Sequence, residues 1–201
     1  MNFLWNGPAR GPKLLLAHGS GAPMDSPFLD TIATGLGKRG LRVGRFEFPY
    51  MQKRRESGGK RPPDPREKLI ACWREAVAAV SGPVVLAGKS LGGRIASYLT
   101  DEVGARALVV LGYPYHPPGR PETLRIEHLE HLKTPALFLQ GTRDVFGSPE
   151  EIAGYPLAAS IRREWIPDGD HAFVPRASSG RTEQENLALA VDRVVDFLDG
   201  L

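Results

Sequence analysis

The sequence predicts an α/β fold: a mostly parallel central sheet of about six strands, flanked by helices on both faces, in a single domain over residues 1–201. Three observations carry this expectation. Short apolar runs alternate with longer stretches of helical periodicity, an order that calls for right-handed crossovers between parallel strands. A chain of 201 residues is long enough to bury a substantial core without disulfides or metals. Finally, Gly88-Lys89-Ser90-Leu91-Gly92-Gly93 joins an apolar run directly to a helical one, with glycine where strand and helix must approach closely. No internal repeat or second domain is visible.

In chain order, Lys13 to Ala17 (KLLLA) reads as a buried strand, followed by the turn His18-Gly19-Ser20-Gly21. Ser26-Pro27 supplies an N-cap with proline at the first helical position, and that helix runs towards Lys38-Arg39-Gly40. Leu41 to Phe48 alternates enough for a second strand. Met51 to Arg66 has prolines and glycines but no hydrophobic periodicity, and is read as a long surface loop. Asp64-Pro65 caps a helix in which Leu69, Cys72, Trp73, Ala76, Val77 and Val80 recur at helical spacing. Val84 to Ala87 is the next strand and Arg94 to Val103 the helix after it. Ala107 to Leu111 and Pro135 to Gln140 (PALFLQ) are further strands. Ser148-Pro149-Glu150-Glu151 carries a capping box, Arg163 to Ile166 is the last strand, and Glu183 to Leu201 is an amphipathic helix with Leu187, Val191, Val194 and Leu198 on one face.

Composition narrows the function classes. A formal charge of +3 is too mild for a general nucleic-acid signal. The single cysteine, Cys72, has no partner for an internal disulfide and falls on the apolar face of its helix, as a packing residue does. No apolar run has the length of a membrane span, and the N-terminus lacks the order of a secretion signal, so the expected location is cytoplasmic.

A G-x-S-x-G between strand and helix is a nucleophile elbow, where a sharp turn presents the serine on a strained backbone. A serine hydroxyl is a poor nucleophile near neutral pH and needs a histidine base held by a carboxylate. Gly141-Thr142-Arg143-Asp144 follows PALFLQ and puts Asp144 at a strand end; Asp168-Gly169-Asp170-His171 follows the last strand and puts His171 in a loop before the final helix. Ser90, Asp144 and His171 are thus the candidate triad, in the order Ser, acid, His. The rival acids Asp168 and Asp170 are too close to His171 in sequence and are expected to shape its turn. The oxyanion needs main-chain donors: the N–H of Leu91 and one from the His18 loop, Ser20 or else Gly21. His18 is expected to brace that loop.

These segments resemble the α/β-hydrolase superfamily over essentially the whole chain, and more narrowly its small capless group of dienelactone-hydrolase-like and testis-expressed protein 30 type members. The narrower resemblance rests on Ala17 to Ser26, Phe48-Pro49-Tyr50-Met51, Gly59 to Asp64, Gly88 to Arg94 and Gly169-Asp170-His171. It implies a minimal hydrolase fold without a cap domain, an open shallow pocket, and no metal or organic cofactor. It does not supply a substrate. The chain departs from dienelactone hydrolases in having serine for cysteine, and is expected to lack the two leading antiparallel strands of larger relatives.

Met51 to Arg66 is basic and rises from the same rim as Ser90, either as a flap that attracts an acidic substrate through Arg55 and Arg61 or as a solvated loop. Tyr113 and Tyr115 follow a strand and are expected to line the acyl or alcohol pocket. Lys89 is expected to point away from Ser90, Arg94 to form a structural ion pair, and Glu127 to His131 to be a polar helix face rather than a metal site. The reading that follows is an esterase-type serine hydrolase for an ester or thioester of a small or acidic acyl group, working as a monomer or weak homodimer. An idle hydrolase fold serving as a scaffold, and a nucleic-acid module acting through residues 51–66, are the alternatives.

Overall fold

Residues 1–201 are described by a computed structural model. The chain runs through β1 (Leu4–Asn6), β2 (Lys13–Ala17), α1 (Pro27–Lys38), β3 (Arg42–Phe46), α2 (Pro49–Ser57), α3 (Arg66–Ala78), β4 (Val84–Lys89), α4 (Leu91–Leu99), β5 (Ala107–Leu111), β6 (Ala136–Gly141), α5 (Pro149–Ala153), β7 (Ile161–Ile166) and α6 (Glu183–Asp199), with 3-10 turns at Glu127–His131 and Ala177–Ser179. The strands form one seven-stranded sheet in the order β1-β3-β2-β4-β5-β6-β7. All neighbours are parallel except β1, which is antiparallel to β3.

Alternate strand residues point to opposite faces, and both faces are apolar. Leu15, Leu86, Leu108 and Val110 pack beneath Leu69 and Trp73 of α3 and Ile95 and Leu99 of α4. Leu14, Leu16, Val85 and Val109 pack beneath Leu29 and Ile32 of α1 and Leu187, Val191 and Val194 of α6. The chain winds outward from β2 in one direction through β3 and in the other through β4. The strand order therefore reverses between β2 and β4, and a crevice opens beyond their carboxyl ends. No helix is long and apolar enough to cross a membrane.

Two elements differ from the sequence expectation. The seventh strand, β1, is only three residues long and half exposed. It is held by Trp5 lying over Gly44, and by the Asn6 carboxamide accepting from buried Arg45 at 3.0 Å. Residues 49–57 form α2, of which 51–57 fall in the stretch Met51 to Arg66 read as a loop. Pro49 starts it at a position where proline is pre-organised, Tyr50 and Met51 anchor its first turn in the core, and Gly58 ends it in the left-handed conformation. The capping box is present at α5, where Ser148 and Glu151 exchange hydrogen bonds of 3.3 and 2.7 Å.

Candidate active site

Ser90 stands between β4 and α4 at φ 49° and ψ −113°, a region costly for any residue with a side chain. Its N–H is fixed to the Leu111 carbonyl at 3.1 Å. The turn closes only because its neighbours lack side chains: a Cβ on Gly88 would lie 2.2 Å from the Gly93 nitrogen, and one on Gly92 would lie 2.6 Å from the His18 carbonyl.

His171 comes from the loop after β7. Asp170 shapes that loop by accepting the N–H groups of Ala172 and Val174 at 2.8 and 3.0 Å, and Asp168 is occupied by Arg176. Lys89 reaches across from β4 and donates to the His171 carbonyl at 2.5 Å. The imidazole thereby sits with Nε2 2.8 Å from the Ser90 Oγ and Nδ1 2.8 Å from the Asp144 Oδ2. A carboxylate can only accept, so Nδ1 carries the proton and Nε2 is left to accept from the serine. Asp144 is buried, and two further donors hold it: the Phe146 N–H at 2.9 Å and the Gln140 carboxamide at 2.8 Å. Burial lowers the His171 pKa from its ordinary value more than the Asp144 bond raises it, and the Lys89 ammonium lowers it further. The ring is therefore neutral near pH 7 and available as a base.

The His18 loop lies against the elbow. His18 is fully buried, its Nε2 accepts the Phe48 N–H at 3.1 Å, and its Nδ1 consequently donates to the Gly19 carbonyl at 2.6 Å. Tyr50 Oη also donates to that carbonyl at 3.2 Å, and Tyr50 and Arg54 reach the Ser20 carbonyl at 3.3 and 3.1 Å. In a trans peptide the N–H points opposite the C=O. Fixing the Gly19 carbonyl on the protein side thus turns the Ser20 N–H outward. The Leu91 N–H, in the first turn of α4, has no carbonyl one turn earlier in its helix to bond. Ser20, Leu91, Ser90 and His171 share the wall of one open cavity of about 330 Å³.

A family model described as an alpha/beta hydrolase domain matches residues 10–199. The chain belongs to that family. Its fold is similar to that of an α/β serine hydrolase without a lid from Xanthomonas campestris, at 18% identity and a TM-score of 0.66, covering 94% of this chain and 87% of that one. It is likewise similar to an alpha-beta serine hydrolase homologue from Coxiella burnetii (19% identity, TM-score 0.68, 95% and 90% covered). Est1E from Butyrivibrio proteoclasticus gives 13% identity and a TM-score of 0.70, with 97% and 93% covered. At these identities the likeness is one of fold.

Within this α/β hydrolase the other expected site residues fall elsewhere. Tyr113 and Tyr115 are 0% and 1% exposed and do not reach the cavity. The chain turns inward after β5, where Gln140 takes the Tyr113 N–H at 2.8 Å and the Tyr113 hydroxyl donates to the Arg125 carbonyl at 2.7 Å. Arg55 is drawn away by buried Glu47, which accepts from its Nε at 2.8 Å, and by Asp25. Arg61 faces a separate depression with Tyr50 and Lys53. Gly21 is not part of the cavity wall, whereas Ser20 is. Arg94 forms no ion pair; it lines the cavity with Arg66 and Arg125. Glu127 to His131 is a 3-10 turn in which His128 stacks on Tyr98 at 3.7 Å.

Sequence reasoning missed Phe146, which covers His171 at a centroid distance of 4.3 Å, as well as Gln140 and Arg125. Gln140 left a signal, a polar side chain closing the apolar run PALFLQ. Arg125 left none, since it arrives through irregular chain.

Proposed function

We propose that this α/β hydrolase cleaves a carboxylic ester or thioester of a small acyl group through an acyl-enzyme on Ser90. The observation that carries the reading is the unbroken chain Ser90–His171–Asp144, with both links at 2.8 Å and its serine end at the wall of an open cavity. Ser90 Oγ attacks the substrate carbonyl carbon as its proton passes to His171 Nε2. Asp144, buried and held by Gln140 and Phe146, stabilises the imidazolium that forms. The N–H groups of Leu91 and Ser20 receive the negative charge that develops on the carbonyl oxygen. His171 returns the proton to the departing alkoxide or thiolate, leaving an acyl–Ser90 ester. Water, deprotonated by the same nitrogen, then attacks that ester and releases the acid and the free serine.

Acid quenching during turnover of short p-nitrophenyl esters and acyl thioesters, followed by intact mass measurement, tests the reading. Wild type should gain the mass of one acyl group and Ser90→Ala should gain none. Undiminished turnover by Ser90→Ala, or no turnover of either class by folded wild type, would contradict it.

A further inference from the structure

We infer that the cavity holding Ser90 carries an anion subsite built from Arg94 and Arg125, with Arg66 lining the same cavity, so that the substrate is an ester bearing a carboxylate or phosphate a few bonds from its scissile carbonyl. The inference deepens the acyl-enzyme reading and takes its catalytic readout from it. Arg94 lies one turn beyond the nucleophile, its N–H donating to the Ser90 carbonyl at 2.9 Å, and its side chain lines the same cavity as Ser90 and His171. Arg125 lines that cavity from the segment after β5.

The other charged side chains on this wall each have an ion-pair partner of their own. Asp64, the one carboxylate among the lining residues, is paired through Oδ1 with Lys68 at 2.8 Å while its Oδ2 is buried without a donor, and Arg66 is paired with Glu67. Arg94 and Arg125 have no such partner. Their side chains form no ion pair and no hydrogen bond, and the Arg94 Nε is buried without an acceptor. His128 supplies no counter-charge either, and burial, Arg94 and Arg66 push its pKa down to about 4. Burial and the neighbouring Arg94 also lower the pKa of Arg125, as expected of two cations that share a confined space. Half-buried guanidiniums without counter-charge are costly in the free protein, and an arriving anion relieves that cost. Guanidinium geometry suits the paired oxygens of a carboxylate or phosphate. The cavity of about 330 Å³ restricts the ligand to a compact one, such as the half-ester of a short diacid.

The test compares p-nitrophenyl hydrogen succinate with its uncharged methyl diester. Wild type should favour the anionic ester by at least roughly 10-fold in kcat/KM. Arg94→Gln and Arg125→Gln should each shrink that ratio by roughly 10-fold, Arg94→Lys should restore part of it, and Arg39→Gln, just past the end of α1, should leave it alone. A second arm needs no turnover. Calorimetry of Ser90→Ala with succinamate and with inorganic phosphate should show binding that is lost when both arginines are replaced, and the tighter-binding ligand identifies the anion. If the acyl-enzyme reading fails, both esters stand idle but the calorimetry still decides. Succinamate and phosphate binding that is absent, or that survives the double replacement, overturns the subsite.

Discussion

Two segments that leave the strands on either side of β2 put their chemistry to different uses. After β4 the chain turns within one residue, closed by the glycine contacts around Ser90, and the Ser90 Oγ lies 2.8 Å from His171 Nε2. After β3 the chain enters α2, whose cations Lys53, Arg54 and Arg55 are consecutive, and both arginines answer to local partners. Arg55 goes to Glu47 and Asp25, and Arg54 goes to the carbonyls of Ser20 and Arg61. The first segment aims a group at the cavity, whereas the second holds the loop that the first works beside. Charge density in a sequence therefore says little about where the charge points. A short turn at a strand end says much more.

Substitutions can break or sharpen this contrast. Asp144→Asn preserves the volume of the buried side chain but lets the imidazole take the wrong tautomer, and kcat should fall by roughly 10³- to 10⁴-fold in steady-state assays. Tyr50→Phe removes the hydroxyl that fixes both loop carbonyls. If α2 serves the oxyanion loop, kcat should fall by about 10-fold with KM nearly unchanged, because the lost restraint acts on the transition state. Arg55→Gln should leave kcat at the wild-type level and instead strip buried Glu47 of its partner. Since Arg55 is 41% exposed, the expected loss is limited to about 1–3 kcal/mol in denaturant unfolding. A large loss of activity there would show α2 to be more than a brace.

The smallest expected effect is on pH dependence. His171 must be neutral to act, and its pKa lies below the ordinary value, so kcat/KM should rise with pH on a limb whose midpoint lies below about 6.5. His171 and His128 both bind protons less readily folded than unfolded. As pH falls below about 6.5 the unfolded state therefore takes up protons first and stability declines. For His128 the decline runs to a pH of about 4 and then levels off, and His128→Asn should flatten that part of the unfolding profile.

Much of the fold was legible because β2, β4, β5 and β6 are apolar runs and helical periodicity marks α1, α3, α4 and α6. β1 was not, since three half-exposed residues carry no period and are held by Arg45 and Gly44 from distant sequence. α2 was hidden because it buries only Tyr50 and Met51 in its first turn and leaves the rest to solvent. At the site, Ser90, Asp144 and His171 could be read as one group because each lies in the segment that leaves a strand's carboxyl end, and the sheet brings those ends together. Tyr113 and Tyr115 also follow a strand, but β5 ends in chain that turns back under Gln140 and buries them. Arg125 is reached only through the irregular chain after β5, where spacing carries no information about direction.

The central claim is that Ser90 is an activated nucleophile, and labelling with a fluorophosphonate followed by peptide mapping tests it most directly. The account requires a single phosphonylated site at Ser90 in wild type, with labelling lost in Ser90→Ala and His171→Ala variants that melt like the parent. Folded wild type that resists the reagent, or His171→Ala that labels as fast as wild type, would contradict it.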